Sequence, residues 1–339
     1  MGATTDITWA EATWNAVYGC SPAPGNKGCD NCYAKRWVHR FAGHQNKLGE
    51  TSRAVENWDG NVRFMPERLI IPLKWRTPKT IFANSLFDLF HPNIPDEWID
   101  KIFAAICAAH WHRYLILTKR TDRMRVYLTT PGRYHRISQY WSDLVQLAFI
   151  RNEYPKLKPG MKPIDPKKPV FPHVAFLASI STQADADRLI PDLLETPVAY
   201  RGVSYEPSLG KIDLQRPAPH SCETEDCVRH GNCPPWMIQL LDLVIMGGES
   251  GPKARPMHPD WARSMRDQCA SAGVPFHFKQ WGEFAPCPIN PCEVDMVTDA
   301  VFKHGPGHDG FVWRVGKKNS GRLLDGVEHN GTIDWGISR

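Results

Sequence analysis

The 339-residue chain contains no Walker-type loop, no His-Glu-x-x-His pair and no Gly-x-Ser-x-Gly elbow. A P-loop nucleotidase, a zincin-type metalloprotease and an α/β-hydrolase nucleophile are therefore not encoded in recognisable form. No apolar run approaches the length of a bilayer-spanning helix, and the first residues, Met1-Gly2-Ala3-Thr4-Thr5-Asp6, carry no apolar leader. The expectation is a cytoplasmic chain with no membrane partner, in which thiols stay reduced and serve as ligands rather than disulfides. No internal repeat occurs, and biased composition is confined to a Pro/Lys stretch between Tyr154 and Pro169. A strong excess of either charge is also lacking. The 41 Lys and Arg against 36 Asp and Glu leave +5, which is compatible with a polyanionic partner and does not demand one.

Cysteine, in contrast, is plentiful at ten residues. Cys20, Cys29 and Cys32 form a C-x8-C-x2-C pattern near the N-terminus. The Gly and Pro residues between the first two thiols keep that stretch out of helix and strand, so it can fold as a loop around one point. Three thiolates are one short of the four that close a structural zinc or ordinary iron–sulfur site. As ligands of a 4Fe–4S cluster they leave one iron open, which radical chemistry with S-adenosylmethionine (SAM) requires. A zinc site completed by a distant His or Cys, or unrelated thiols, are the other readings of the same spacing. Cys222, Cys227 and Cys233, with Cys287 and Cys292 further on, form either a second site for zinc or an iron–sulfur cluster, or a set of reduced surface thiols.

From residue 80 onward short apolar runs alternate with amphipathic segments. Predicted strands are Thr80–Ser85, Tyr114–Lys119, Val174–Ser181, Ala199–Glu206, Leu243–Ser250 and Val274–Trp281. An earlier strand within residues 7–20 delivers Cys20 at its end. Predicted helices are Ala34–Phe41, Pro66–Leu73, Asp96–Ala109, Ser138–Arg151, Ala184–Leu194 and Pro259–Ala272. Continuous apolar runs read as buried parallel strands, and the alternation reads as right-handed βα crossovers. The expected fold is α/β, a partial or full TIM-like (βα) barrel with parallel strands. It occupies residues 1–284 with inserts at 134–172 and 211–238, followed by an irregular C-terminal extension, 285–339.

Each run ends in polar groups, and in a parallel barrel the active site lies along that edge. Ser85, Lys119, Ser179, Ser204, Glu206, Glu249, Lys279 and Gln280 all fall there. Gly247-Gly248-Glu249-Ser250 allows close backbone approach to a ligand, with a carboxylate that can accept from an ammonium group; a tight strand-to-helix turn explains the same residues. Lys119-Arg120 suits a carboxylate or phosphate, and equally a solvated pair. Glu206-Pro207 is a carboxylate on a fixed turn, either a ligand or base or a loop anchor. Basic residues concentrate in Lys35–Arg40, Lys156–Lys168 and Lys317–Arg322, and Trp37, Trp281 and Trp313 lie near basic residues. They fit DNA, RNA or a nucleotide as the substrate class, and equally Lys-rich loops that keep a Trp-rich protein soluble.

The stretches Thr13-Trp14-Asn15, Gly19-Cys20, Gly28–Ala34, Ile81–His91 and Leu117–Arg120 carry a resemblance. So do Ser204 with Glu206-Pro207, Leu209-Gly210, Val244–His258, Phe278–Glu283 and Gly316-Lys317-Lys318. Together they resemble the phage-borne three-Cys-motif proteins, a family regarded as radical-SAM-like. The chain differs from typical radical-SAM enzymes in its eight-residue first gap and in Tyr33, an aromatic that follows the third Cys. The resemblance implies a SAM-cleaving enzyme with a 4Fe–4S cluster on Cys20, Cys29 and Cys32, SAM on the open iron, and a radical that modifies or repairs its substrate. Ser85, Ser179, Ser204, Glu206, Gly247, Gly248 and Glu249 would hold SAM. Lys119, Lys279 and Gln280 would face substrate, with Glu206 as a further catalytic candidate. An electron donor of flavodoxin or ferredoxin type and a partner protein are implied as well. The reading from a different class is a zinc-bound nucleic-acid-binding protein without redox chemistry.

Overall fold

The computed structural model describes residues 5–36, 58–151, 171–217, 235–286 and 312–336, with backbone alone at 147–151. The chain forms two compact units. The first comprises Met1–Pro24, Ala34–Ala178 and Asp192–Arg201; the second comprises Gly25–Tyr33, Ser179–Pro191 and Gly202–Arg339.

In the first unit the strands are β1 (Ala12–Thr13), β2 (Val17–Tyr18), β3 (Arg63–Phe64), β4 (Thr80–Phe82), β5 (Arg113–Thr118) and β6 (Val174–Ile180, through Ala178). β6 reads Val-Ala-Phe-Leu-Ala-Ser-Ile, and all seven residues are buried, as expected of a parallel strand covered on both faces. The helices are α1 (Ile71–Lys74), α2 (Asp96–Ala108), α3 (Thr121–Thr129) and α4 (Arg133–Arg151). Asp96 and Glu97 occupy the first turn of α2, where carboxylates suit the exposed N–H groups. Its buried stripe includes Ile99, Ile102, Phe103 and Ile106. Phe103 stacks on Phe171 with ring centroids 4.5 Å apart. An ionic cluster around the buried Arg133 and Asp100 clamps the helices together. Arg133 Nη1 donates to Asp100 (3.1 Å), Nη2 to Asp96 (2.6 Å) and Nε to the Tyr127 carbonyl (3.2 Å), while the Tyr127 hydroxyl donates to Asp100 (2.7 Å).

The second unit adds helix α5 (Gln183–Glu195, through Pro191), β7 (Tyr200–Tyr205, from Gly202), β8 (Leu243–Gly247), α6 (Pro259–Ala272) and β9 (Phe276–Gln280). Two hairpin ladders follow, β10 (Phe284–Pro286) with β11 (Val312–Arg314), and β12 (Leu323–Leu324) with β13 (Val327–Glu328). α6 starts with Pro259 after a His258 cap whose ring accepts from the Asp260 N–H, and it stops at Gly273 in the left-handed conformation (φ +68°).

The strands are ordered β1-β4-β5-β6-β7-β8-β9 in a seven-stranded sheet whose described pairings are all parallel. The order has two ends, so the sheet is open among the described residues. At the β9 end, His277 makes an antiparallel bridge with Asn330. Phe278 N–H donates to the His329 carbonyl, and Gly331 N–H donates to the Phe276 carbonyl. This backbone pairing covers an edge that would otherwise invite strand addition. Among the described residues no helix is long and apolar enough to cross a membrane.

The structure corrects several expected elements. The N-terminal strand is two separate pieces. β1 pairs in parallel with β4, but β2 leaves the large sheet and pairs antiparallel with β3. Cys20 therefore follows a strand of the small β2–β3 ladder and not one of the large parallel sheet. Gly19 (φ +103°) turns the chain against the Asn61 carbonyl at a distance no β-carbon would permit. The expected Pro66–Leu73 helix is a 3₁₀ turn, Pro66–Arg68, and then α1, because Pro72 has no N–H to continue a helix and sits instead in the first turn of α1. α4 begins at Arg133, ahead of the expected Ser138, where the buried Asp100 and the exposed Asp96 carboxylates hold its guanidinium. Residues 33–36 are helical, and the remainder of the expected Ala34–Phe41 helix lies outside the described residues.

Candidate functional site

In the first unit, the polar groups after β4 and β5 converge on Asp88, which is buried. Its carboxylate accepts from Thr118 Oγ1 (2.7 Å), the Phe90 N–H (3.0 Å), the Lys119 N–H (3.0 Å) and Arg120 Nη1 (2.8 Å). Arg120 also donates to the Ser21 carbonyl (2.9 Å). Ser85 Oγ accepts from Asn15 Nδ2 (2.9 Å), so this predicted ligand residue ties β1 to the loop after β4. His91 lies beside Ser21 with Nε2 2.7 Å from Oγ. Its Nδ1 accepts from the Asn93 N–H, so in the neutral ring Nε2 carries the proton and donates to Ser21. That polarity prevents His91 from acting as the base of a Ser21 nucleophile. Burial and then the nearby Arg120 hold its pKa down at about 4. The Asp88 centre thus has its hydrogen bonds satisfied internally and serves to fix the strand ends.

In the second unit, the structure brings together Ser204, Glu206, Gly247 and Lys279. Glu206 Oε1 lies 2.8 Å from Lys279 Nζ, and its Oε2 accepts from Ser204 Oγ at 3.2 Å. Both side chains remain reachable, with 14% of the Glu206 and 22% of the Lys279 side chain exposed. Gly247 makes room for them, since a β-carbon there would lie 2.8 Å from Glu206 Oε1. Gly248 is equally constrained: its β-carbon would overlap the Trp281 carbonyl oxygen. Gln280 donates to Ser250 Oγ (3.1 Å). Ser179 is buried near the end of β6. Tyr33 is half exposed, while burial of its phenol end, then Cys32 and Glu206, push its pKa up.

Glu249 is engaged by protein groups. Arg255 grips both its oxygens, Nη2 to Oε1 at 2.6 Å and Nε to Oε2 at 2.9 Å. The Arg255 N–H (2.8 Å) and Asn31 Nδ2 (3.3 Å) complete the set on Oε2. This bidentate pair is a strong geometry for a buried carboxylate. Its role is visible in what it holds. The segment Gly25–Tyr33 is pinned by Asn31 to Glu249 and to the Lys253 carbonyl (2.7 Å), and by Asp30 to Arg255 (3.1 Å). Asn26 Nδ2 adds a bond to Asp185 (3.0 Å). Gly28 presses on the Ser181 hydroxyl, which is fully buried and has no hydrogen-bond partner.

A basic surface surrounds this strap. Arg255 Nη2 donates to the Lys27 carbonyl (2.9 Å), and Arg314 Nη2 donates to the carbonyls of Gly251 (3.1 Å) and Pro252 (2.7 Å), next to Lys253. The Glu283 carbonyl accepts from the Val315 and Gly316 N–H groups, while its side chain accepts from the Gly251 N–H. The Lys317-Lys318 turn is thereby fixed beside the same loop. Lys27, Lys253, Lys317 and Lys318 are exposed and form no ion pair among the described residues. Sequence reasoning named Lys317 and Lys318. Lys27, Lys253, Arg255 and Arg314 join them only in the structure; for Lys253 and Arg255 the signal is the Pro252-Lys253-Ala254-Arg255 run directly after the Gly-Gly-Glu-Ser turn. The Lys156–Lys168 stretch and most of Lys35–Arg40, with Trp37, lie outside the described residues.

The metal chemistry expected of the cysteines is overturned. Among the described residues no group of three or more His, Cys, Asp or Glu side chains is placed to hold a metal ion. Cys20, Cys29 and Cys32 therefore do not form a 4Fe–4S site, and the SAM-cleaving radical enzyme and the zinc-bound alternative lose their basis. The physical reason is that a Pro- and Gly-rich loop limits how far apart its ends can be without drawing them together. Cys20 is led off by β2, and its thiol donates to the Ser21 carbonyl (3.4 Å). Cys29 closes a 3₁₀ turn, Lys27–Cys29, within the second unit. The second metal expected on Cys222, Cys227 and Cys233 falls, with Cys287 and Cys292, outside the described residues. Cys107 and Cys269 are buried thiols whose pKa is pushed up by burial, Cys269 to about 12, which makes them inert core residues.

Fold and site define an α/β protein with an open parallel sheet and polar groups collected after its strands. Over residues 4–332 the chain matches the family described as "Protein of unknown function (DUF5131)", and it belongs to that family. No curated protein and no solved structure matches the chain.

Proposed function

We propose that the second unit binds nucleic acid, with phosphates on the basic surface around the Gly25–Tyr33 strap. The observation that carries this reading is the contiguous set Lys27, Lys253, Arg255, Arg314, Lys317 and Lys318, joined by the contacts given above. Three carboxylates stand against these six cations. Glu249 is buried and Asp30 is paired with Arg255, while Glu283 is mostly buried and 3.9 Å from Arg314. The surface therefore keeps a net positive field, and backbone phosphates are the natural counter-charge. Tyr33 and the half-buried Trp313 supply aromatic faces beside it, which favours single strands with accessible bases over a bare polyphosphate. The sheet reads as part of a (βα) barrel, and the Glu206–Lys279 pair after β7 and on β9 is its substrate-facing polar centre.

Binding of labelled single-stranded DNA and RNA to the full chain tests this reading. The triple variant Lys253→Glu/Lys317→Glu/Lys318→Glu changes only exposed side chains. At low salt it should bind at least about tenfold more weakly than wild type, since several phosphate contacts become repulsive. Equal affinity of the two proteins, or no binding by either, contradicts the proposal.

A further inference from the structure

The Glu206–Lys279 pair is chemically more specific than a phosphate rim. Lys279 spends one of its three N–H donors on Glu206. Glu206 receives one bond on each oxygen, from Lys279 and from Ser204, so each oxygen retains an acceptor position. Gly247 leaves the Oε1 flank without a side chain. A donor and a two-oxygen acceptor thus stand side by side, partly exposed, at the end of the sheet. They are joined to the basic surface through Lys279-Gln280, the Gln280–Ser250 bond and Gly251, whose carbonyl accepts from Arg314.

We infer that this pair reads the Watson–Crick edge of an unpaired guanine, with the two carboxylate oxygens of Glu206 on guanine N1–H and N2–H and the Lys279 ammonium on O6. The inference rests on the nucleic-acid reading above and names the base that the same unit prefers. Guanine alone among the common bases places one acceptor beside two donors on that edge. Uracil and thymine offer a single donor between two acceptors. Adenine and cytosine turn a ring-nitrogen lone pair toward the carboxylate. Unpaired bases are read on this edge while stacked on an aromatic ring. Tyr33, half exposed and in the same unit, supplies the ring.

Calorimetry of the full chain with GMP, AMP, CMP and UMP tests the assignment. GMP should bind about tenfold or more tightly than the other three, the scale of one good bidentate contact. Glu206→Gln and Lys279→Met should each remove that preference, with circular dichroism confirming that the variants fold. Tyr33→Leu, at a half-exposed position, should weaken all four nucleotides together without changing their ranking. Equal affinity for the four, a guanine preference that survives both Glu206→Gln and Lys279→Met, or no GMP binding overturns the assignment. Salt-sensitive oligonucleotide binding that persists alongside any of these results leaves the nucleic-acid reading standing. GMP selectivity without oligonucleotide binding does the reverse.

Discussion

Gly247 approaches the Glu206 carboxylate so closely that a β-carbon at position 247 would lie 2.8 Å from Glu206 Oε1, the oxygen that holds Lys279. The glycine at the end of β8 is thus a condition of the ion pair and not only of the turn that follows. Gly247→Ala should push Glu206 off Lys279 at a stability cost of about 1–3 kcal/mol, the range for inserting a methyl into a filled site. Chemical denaturation gives the cost, and a structure of the variant gives the Glu206–Lys279 separation. A variant of wild-type stability with the 2.8 Å contact intact would contradict this role.

Ser181 and Gly28 make a second tight pair. Gly28→Ala would drive its methyl into the Ser181 hydroxyl, so it should destabilise, and Ser181→Ala should restore most of the loss. Because the Ser181 hydroxyl is buried without a partner, Ser181→Ala alone should be neutral or stabilising by about 1 kcal/mol. Thermal midpoints of the two single variants and the double variant decide it. Additive losses would count against the contact.

In the first unit, Arg133 is 1% exposed and carries the charge balance of Asp100, which is equally buried. Arg133→Met leaves Asp100 with the half-exposed Arg136 as its remaining arginine partner. The expected cost is about 3–5 kcal/mol, as for breaking other buried pairs. Arg133→Met with Asp100→Asn should recover part of it. A double variant no more stable than the single one would show that packing, not charge, sets the loss.

Three buried histidines make the fold acid-sensitive. Burial, ahead of neighbouring positive charges, lowers the pKa values of His91, His173 and His277 to about 4 each. Released from the fold, each would titrate near 6.5. Between these values the unfolded chain binds the extra protons, so stability should rise with pH from 4 to 6.5 and fall as acid is added through that window. Replacing one of them, as in His173→Gln, should lower the slope by about 1.4 kcal/mol per pH unit. Urea titrations across the window measure it, and an unchanged slope in the variant would refute the assignment for that histidine.

Much of the sheet was legible because β6 and β8 are continuous apolar runs buried along their whole length. α6 was legible because Pro259 opens it and Gly273 closes it. β2 is not separable from β1 in the sequence, because its pairing is with Arg63–Phe64, a distant stretch that local pattern does not announce. α3 escaped notice because its buried side rests on few residues, Thr121, Met124, Tyr127 and Leu128.

The strand-end groups were visible one by one, but their partners were not. The sequence leaves Glu249 open between a ligand group and part of a tight turn, whereas its partners are Arg255 and Asn31, the latter 218 residues upstream. The cysteine motif misled for a similar reason, since spacing within a Pro/Gly loop bounds distance without setting convergence.

The salt dependence of single-stranded nucleic-acid binding tests the central reading most directly. Each phosphate neutralised on a single strand contributes about −0.7 to the slope of log K against log salt. With three to five of the basic groups around the strap engaged, the slope should be roughly −2 to −3.5. It should shrink when Lys253, Lys317 and Lys318 are reversed to Glu. A slope near zero, or one that the triple reversal leaves unchanged, would show that this surface does not bind a phosphate backbone.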